Sequence, residues 1–372
     1  MSGAKHIALD FTIGWSASED DKYVVPLCNL SGPNGSCVKS LDLRYVCLKL
    51  HPNFCGIMNL KNLTLSMVSI NRGDLQCLLL SCALLESLSI EFCSLSSLCI
   101  RQELSRLQYL RVNHYDLEMI ELQAPNLTRF EFDDSVRQIT LCVSLKLSEA
   151  TFVSNWRVFE AYDYDLDHIF YEIPPALPHL HKLFLLLNVD QVRSRKRVLM
   201  FSNIQTSFKN LRHLNINLDI FFDPRDTSWV LGLVNLLELS PLLEELELHI
   251  DCGRFCHPDP SMLMAAQGPL LQHLRRVYIS GFSDVLGLAK LALYILGNAT
   301  VLERLVVDPV VRMKYDLPTD RFYPSTNFSS NKEFVLPPSP TTKENMFCFT
   351  EKRMFTKTHL EREEFRHIVT IL

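Results

Sequence analysis

The chain has 372 residues, of which 47% are hydrophobic, and a formal net charge of −5. This composition excludes an intrinsically disordered chain, and the mild acidity gives no basic field that would attract nucleic acid. The twelve cysteines are too dilute for a disulfide scaffold, so we expect reduced, buried thiols in a cytoplasmic or nuclear protein. No stretch reaches the ~18 uninterrupted apolar residues of a membrane helix, so no membrane partner is expected.

In chain order, the first predicted element is a strand over residues 6–11, followed by a turn-rich loop around residues 31–35. The phrase L-x-x-L-x-L, or an apolar variant of it, then recurs at steps of 20–25 residues. Its middle position falls at Leu41, Leu63, Leu88, Leu110, Phe130 and Ala150. Alternation at the end of each phrase predicts a short strand with one buried face. The spacing is typical of a leucine-rich repeat, in which each coil buries its leucines against the next.

The returns between these strands differ from one another. Residues 74–84 are apolar enough for a short helical or irregular return. A second series of phrases, with middle positions at Leu98, Ile120 and Ile139, follows about ten residues after three of the strands. Such a return is too short for a helix and two turns, so we predict strands on both sides of these coils.

The later phrases lie farther apart, at steps of 28–32 residues. Their middle positions are Leu183, Leu214, Leu246, Val277 and Leu305. This spacing leaves room for a helix in each coil, and the candidates are residues 229–240, 260–267 and 283–297. The last candidate has Ser283 and Asp284 as possible N-caps and Gly297-Asn298 as a stop signal.

Together the phrases predict about eleven coils and an α/β fold. We expect a curved, right-handed leucine-rich-repeat solenoid, β-rich with short coils in its first half and with helices in longer coils in its second half. After Asp308 the phrase stops, and five prolines interrupt a segment rich in Ser, Thr and Asn. Residues 312–372 are therefore expected to form an irregular, largely disordered tail, loosest over 312–345, with a short helix or strand over 358–372.

Four stretches carry a resemblance to a known family. They are LLLSCALLESLSIEFCSLSSLCI (78–100), IELQAPNLTRFEF (120–132), SPLLEELELHI (240–250) and LRRVYISGFSDVLGLAKLALYILGNATVLERLVVDP (274–309). The first three are similar to the repeats of plant F-box proteins with leucine-rich repeats, and the last resembles the core of their C-terminal FBD domain. The resemblance implies a solenoid over residues 1–255 that FBD-like repeats continue over 256–311. It also implies the substrate-recognition part of an SCF-type E3 ubiquitin ligase.

The F-box of this family, which recruits the Skp-type adaptor, is absent from the sequence. We therefore do not expect that adaptor to bind this chain, which reads as an F-box-less receptor or a fragment of one. Two alternatives stay open. They are a leucine-rich repeat binding protein without a ligase role and a non-functional truncated relative.

Local motifs for catalysis or metal binding are weak. The D-x-D-x-D run at 163–167 lacks the glycine and glutamate of a calcium loop, and the cluster at 252–257 (Cys252, Cys256, His257) lacks a second pair for zinc. No G-x-S-x-G, Walker or H-E-x-x-H motif is present, so we predict no enzyme, no cofactor and no metal. The basic run from Arg193 to Arg197 is either a nuclear import signal or a solvated connection.

Side chains alternate along a strand, so the third, fifth and seventh residues of each phrase point outward and form a grid across stacked coils. Tyrosine and arginine at such positions are the types that anchor protein interfaces. The candidate protein-binding residues are Tyr109, Arg111, Arg129, Glu131, Phe184, His213, Glu247 and Tyr278. Phe184 and Leu186 are apolar at outward positions, which indicates either a partner or a covering loop over 188–208. We predict a monomer whose partner is an unidentified protein.

Overall fold

The structure of the chain is a computed structural model. It describes residues 4–12, 22–30, 37–51, 54–113, 117, 119–133, 138–142, 146–153, 177–190, 207–221, 228–252, 270–282, 287–314, 333–335, 354, 357, 360 and 365–372. The chain divides into two compact units, unit 1 over 1–158 and unit 2 over 159–372. The D-x-D-x-D run, the basic run at 193–197 and the predicted helix at 260–267 lie outside the described residues.

Unit 1 is built from short strands that follow the predicted phrases. They are β1 His6–Asp10, β2 Tyr23–Val24, β3 Ser40–Arg44, β4 Val46–Cys47, β5 Asn62–Ser66, β6 Ser87–Glu91, β7 Ser97–Glu103, β8 Tyr109–Asn113, β9 Met119–Gln123, β10 Arg129–Asp133, β11 Gln138–Cys142 and β12 Glu149–Val153. Strands β1, β3, β5, β6, β8, β10 and β12 form one parallel sheet in that order. Every pair is in register, because each coil repeats the same phrase.

The second phrase series also forms strands, as its short spacing predicts. Strands β7, β9 and β11 make a parallel three-stranded sheet of their own, in the order β11-β9-β7. The coils over these residues therefore carry a strand on each of two sides. A further two-stranded parallel pair joins β2 to β4.

The predicted return after β5 is helical, and helix α1 spans Arg72–Leu80. Asn71 caps it, because its side-chain oxygen accepts a hydrogen bond from the backbone N–H of Asp74 at 2.8 Å. The Asp74 carboxylate lies in the first turn, where it interacts favourably with the helix dipole. The cap sets the start of the helix two residues before the predicted return.

The backbone bends in the same way after three strands of unit 1. Tyr45, Met67 and Phe92 each follow the last strand residue and have a φ between 49° and 54°, in the left-handed region. Each donates its N–H to the next coil, as Phe92 does to the carbonyl of Asn113 at 2.8 Å. The recurring bend shows that hydrogen bonds between coils offset the strain of the left-handed conformation.

Unit 2 has longer strands and more helix. Its elements are β13 Lys182–Asp190, β14 His213–Phe221, α2 Ser228–Glu238, β15 Glu245–Cys252, β16 Arg276–Ser280, α3 Leu288–Asn298, β17 Arg304–Asp308, β18 Arg312–Lys314, β19 Glu333–Val335 and β20 Val369–Ile371. Strands β13 to β17 are parallel and in register, and β20 adds a sixth strand beside β17. The architecture predicted from the phrases, a leucine-rich repeat with helices in the longer coils, is confirmed.

Helix α3 begins later than the sequence predicts. Its N-cap is Gly287, in a left-handed conformation with a φ of 66° and without a side-chain cap, and the predicted caps Ser283 and Asp284 lie outside the described residues. Gly297 lies inside the helix, which ends at Asn298. Tyr294 donates a hydrogen bond to Glu238 at 3.0 Å and so connects α3 to α2. This tertiary contact and the buried leucines of α3 outweigh the weak start.

Three short strands, β18, β19 and β20, lie among the described residues of the C-terminal region. Strand β18 pairs with β19 in an antiparallel manner. Strand β20 extends the main sheet of unit 2 and lies in the segment 358–372, for which a short helix or strand is predicted. No helix among the described residues is long and apolar enough to cross a membrane.

The core consists of the inward leucines and their equivalents. Leu43, Leu65, Leu110, Phe130 and Ile216 are all completely buried. Cys82 and Cys93 are buried as well, and burial raises the pKa of their thiols to about 11 and about 12. Cys77, in α1, is exposed, so the expectation of buried thiols is wrong for this residue.

Candidate protein-binding surface

The outer face of unit 1 is formed by the first, third and fifth residues of its seven main-sheet strands. The second and fourth residues are the buried leucines and their equivalents, so alternation places the other three on the opposite side. Strict register aligns equivalent residues of neighbouring strands in rows across the sheet. The predicted grid is thus present in unit 1.

Four predicted binding residues of unit 1 form one network on β8 and β10. The Tyr109 hydroxyl donates a hydrogen bond to Glu131 Oε2 at 2.8 Å. Arg129 Nη2 lies 2.7 Å from Glu131 Oε1, and the Arg129 guanidinium lies 5.5 Å from the centre of the Tyr109 ring. Arg111 Nη1 reaches Glu131 Oε2 at 3.3 Å. Glu131 therefore fixes the conformations of all three partners.

Arg111 lies on the outer face as predicted, but it is only 8% exposed. Its guanidinium is placed between two carboxylates, with Nε 3.4 Å from Glu91 Oε1 and Nη1 near Glu131. Glu91 also accepts a hydrogen bond from the Ser89 hydroxyl at 3.1 Å. Arg111 therefore connects β8 to the carboxylates of β6 and β10. Arg129, with 54% of its side chain exposed, is the arginine of this network that reaches solvent.

The fifth residues of four neighbouring strands form a row of hydrogen-bond acceptors. We call Ser66, Glu91, Asn113 and Asp133 the acceptor row. Asn113 Nδ2 donates to Asp133 Oδ2 at 2.9 Å. Asn113 Oδ1, Asp133 Oδ1 and the Ser66 hydroxyl are buried and have no hydrogen-bond partner among the described residues. The row therefore holds oxygen atoms to which the described part of the chain donates no hydrogen bond.

Burial raises the pKa of Asp133 to about 6; the nearby Glu91 adds to the shift, while Arg111 opposes it. The alternation rule places Asp133 outward, but the sequence does not distinguish it from other polar outward residues. Its burial arises from the neighbouring coil, which a single phrase does not reveal. The acceptor row is thus the part of this surface that sequence reasoning missed.

In unit 2, three predicted residues lie in one row across β13–β16, with Asn215 between them. Phe184, Asn215, Glu247 and Tyr278 are successive register partners. Asn215 Nδ2 donates to Glu247 Oε2 at 2.6 Å. The Tyr278 hydroxyl donates to Asp308 Oδ2 at 3.1 Å. The structure therefore brings these predicted residues to one face of unit 2.

His213 lies at the edge of this face, at the start of β14. Its Nδ1 is 3.0 Å from Glu245 Oε2. Partial burial, together with the charges of Lys182 and Arg276, lowers the pKa of His213. The residue is therefore neutral at neutral pH and offers a hydrogen bond rather than a positive charge.

Leu186 was predicted to be exposed, but only 8% of it is accessible, and Phe184 is half-buried. Leu186 occupies the fifth position of β13, which is also buried in the next three strands, at Asn217, His249 and Ser280. The loop predicted as a possible cover lies largely outside the described residues.

The fifth row of unit 2 is a second network that the sequence did not single out. His249 Nδ1 lies 2.8 Å from the Ser280 hydroxyl, which also accepts a hydrogen bond from the backbone N–H of Arg312 at 3.1 Å. The Asp308 carboxylate accepts from Tyr278, from the Arg312 guanidinium and from the backbone N–H of Val310. Both oxygens of Asp308 are thus satisfied.

In-register parallel strands, leucines turned inward and a polar outer face define a leucine-rich repeat protein. The chain belongs to the family of the At1g61320/AtMIF1 LRR domain, whose model matches residues 5–330. It is accordingly a plant leucine-rich repeat protein. No curated protein matches the chain.

Proposed function

We propose that the chain recognises the substrate of an SCF-type ubiquitin ligase through the outer face of its repeats. The leucine-rich repeat domain is a protein-interaction scaffold. The ligase role is supported by the resemblance of residues 78–100, 120–132, 240–250 and 274–309 to plant F-box proteins with FBD domains. Non-enzymatic action stays a prediction, in line with the use of such repeats as interaction modules.

The binding role rests on one observation, that the side chains of Tyr109 and Arg129 are held in fixed conformations. Glu131 bonds to both side chains, and the Arg129 guanidinium stacks over the Tyr109 ring while half of it remains in solvent. Tyrosine and arginine dominate the energetics of many protein interfaces. Ordering them before binding lowers the entropy lost when a partner binds. The network is therefore suited to anchor a partner protein.

Crosslinking mass spectrometry in cells tests this role with a matched pair of variants. Arg129 and Arg275 are equally exposed, at 54% and 56% of their side chains, and each lies 2.7 Å from a glutamate. We expect Arg129→Glu to lose most crosslinked partners and Arg275→Glu, at the residue before β16 in unit 2, to keep them. Unchanged partners in Arg129→Glu would contradict the proposed surface.

The lifetime of the captured partner separates the ligase role from simple binding. If the repeats recognise the substrate of a ligase, overproducing them should change the half-life of that substrate. Pulse-chase labelling measures that half-life, with Arg129→Glu as the control. An unchanged half-life of a partner that still binds would favour the alternative, a leucine-rich repeat binding protein without a ligase role.

A further inference from the structure

We propose that the outer face of unit 1 binds a basic, extended segment of its partner protein, with cationic side chains facing Glu91 and Asp133. This inference rests on the proposed function, because it assigns a chemical class to the partner of the same face. It follows from the charge of the face, its unpartnered oxygens and the spacing of its carboxylates.

The outer face of unit 1 has twice as many carboxylates as guanidinium groups. The acidic members are Asp10, Asp42, Glu91, Glu131, Asp133 and Glu149, and the basic members are Arg44, Arg111 and Arg129. Each arginine is already paired, Arg44 with Asp42 and the other two with Glu131. A face with a net charge of −3 favours a positively charged partner, because opposite charges speed the association and align the bound partner.

The acceptor row indicates what the partner must supply. Asp133 is 5% exposed and Asn113 is 1% exposed, and each has an oxygen that receives no hydrogen bond from the part of the chain that the structure describes. Buried acceptors without donors are rare, because each loses its bonds to water. Asn113 Nδ2 donates to Asp133 Oδ2, but no donor among the described residues bonds to Asp133 Oδ1 or to Asn113 Oδ1. Lysine and arginine side chains supply several donors and no acceptor, so they can provide these bonds.

The spacing of the two carboxylates favours a peptide over a single ion. Glu91 and Asp133 lie on β6 and β10, with β8 between them, so their backbones are about 10 Å apart at the usual strand separation. A calcium ion needs oxygens within about 2.6 Å, and the described residues contain no group of three or more His, Cys, Asp or Glu that could hold a metal. In an extended polyproline II segment, residues i and i+3 lie on the same side, about 9 Å apart. Cations at every third residue therefore match both carboxylates.

The equivalent row of unit 2 differs in the kind of atom that lacks a partner. Both oxygens of Asp308 accept hydrogen bonds, and the Ser280 hydroxyl is bonded to His249 and to the backbone of Arg312. Among the described residues, the buried atom of this row without a hydrogen bond is a ring nitrogen, His249 Nε2, which lies 3.6 Å from Glu247 Oε2. The carboxylate with an unbonded oxygen is thus in unit 1, which favours that unit as the site of the basic segment.

Fluorescence anisotropy with labelled peptides of about fifteen residues tests the inference on the full chain. One peptide has arginine at every third position of a Pro/Gln background, a second has the same arginines side by side, and a third has glutamates instead. We expect the first to bind about three- to tenfold more tightly than the second, with affinity falling as salt rises. The glutamate peptide should not bind.

A matched pair of variants locates the site. Glu91→Gln removes one carboxylate of the acceptor row, and Glu121→Gln makes the same change on β9, in the three-stranded sheet of the same unit. We expect Glu91→Gln to weaken the first peptide about three- to tenfold and Glu121→Gln to leave it unchanged.

Three outcomes would overturn the inference. They are equal binding of the glutamate peptide, equal effects of the two variants, and displacement of the arginine peptide by stoichiometric calcium. The proposed function fails separately, because it depends on whether Arg129→Glu loses its partners in cells. If Arg129→Glu loses its partners in cells but the chain binds the arginine and glutamate peptides equally well, only the proposal of a basic segment is refuted.

Discussion

Asp133 in unit 1 and Asp308 in unit 2 hold the same repeat position, the last residue of a strand that follows the leucine phrase. Both are nearly buried, at 5% and 1% exposure. Asp308 accepts bonds from Tyr278, the Arg312 guanidinium and a backbone N–H, whereas Asp133 accepts from Asn113 and keeps one oxygen without a donor. The position of a carboxylate thus follows from the leucine phrase, whereas its contribution to stability depends on the hydrogen-bond donors that the neighbouring coils supply.

The residue after the strand shows a second difference between the units. Phe92 in unit 1 and Gly281 in unit 2 both follow a fifth strand residue and both have a positive φ, of 49° and 72°. A Cβ placed on Gly281 would lie 1.9 Å from the carbonyl oxygen of Ile250. Unit 1 therefore tolerates a side chain at this bend, whereas unit 2 has no room for one.

The largest effect that we predict is that of Gly281→Ala. The added methyl group collides with rigid backbone and destabilises unit 2 by about 4 kcal/mol, measured by urea denaturation. Gly297→Ala is the control, because Gly297 lies within α3 and a Cβ there meets nothing within 4 Å. That variant should gain about 0.5–1 kcal/mol. Equal effects of the two substitutions would remove the claimed difference between the bends.

Asp308→Asn is expected to have the next largest effect. Asparagine keeps one carbonyl oxygen but loses the charge that faces Arg312, and a hydrogen bond to a charged group contributes roughly 1.5–3 kcal/mol. We therefore expect unit 2 to lose about 3 kcal/mol at pH 7. A loss below about 1 kcal/mol would show that this network does not hold the end of β17 in place.

Asp133→Asn should have the opposite sign. The pKa of Asp133 is about 6 in the folded chain, above its ordinary value of 3.8, so the folded chain binds this proton more tightly than the unfolded chain. Its contribution to the unfolding free energy therefore falls as the pH rises from about 4 to about 6 and stays low above that. Asparagine removes this effect, so the variant should be about 2–3 kcal/mol more stable than the wild type at pH 7 and equally stable near pH 4. Urea denaturation at both pH values gives the two differences, and a loss of stability at pH 7 would contradict the assignment.

Tyr109→Phe should have the smallest effect of the set. It removes the hydrogen bond to Glu131, whose charge adds to burial in raising the pKa of Tyr109 to about 12. We expect a loss of about 1 kcal/mol in urea denaturation. Tyr23→Phe, at a half-exposed tyrosine on β2, serves as the control and should be neutral. Equal losses in both variants would show that the bond to Glu131 contributes nothing.

Much of the fold follows from the sequence, because the leucine phrase specifies both the strand and its buried face. The second sheet follows from the spacing of Leu98 and Ile120. The start of α3 could not be predicted, since Ser283 and Asp284 carry good capping chemistry but the helix begins at Leu288. The sequence allowed a helix or a strand over 358–372 but could not decide between them, because residues 369–371 obtain their partner from β17, some sixty residues earlier.

The candidate surface was predictable in position but not in accessibility. Alternation placed Tyr109, Arg129 and Glu131 on the outer face, and the structure joins them in one network. Arg111 and Leu186 also follow the alternation, yet both are only 8% exposed. Arg111 lies between Glu91 and Glu131, which come from two neighbouring strands, and a single phrase carries no information about such neighbours.

The decisive experiment measures the peptide affinity and the stability of Asp133→Asn together at pH 7. We infer that unit 1 keeps a charged, incompletely bonded carboxylate because a cationic segment of a partner binds there. The variant should therefore become more stable and bind the peptide with arginine at every third position about three- to tenfold more weakly. A variant that gains stability and binds the peptide as tightly as the wild type would contradict the account.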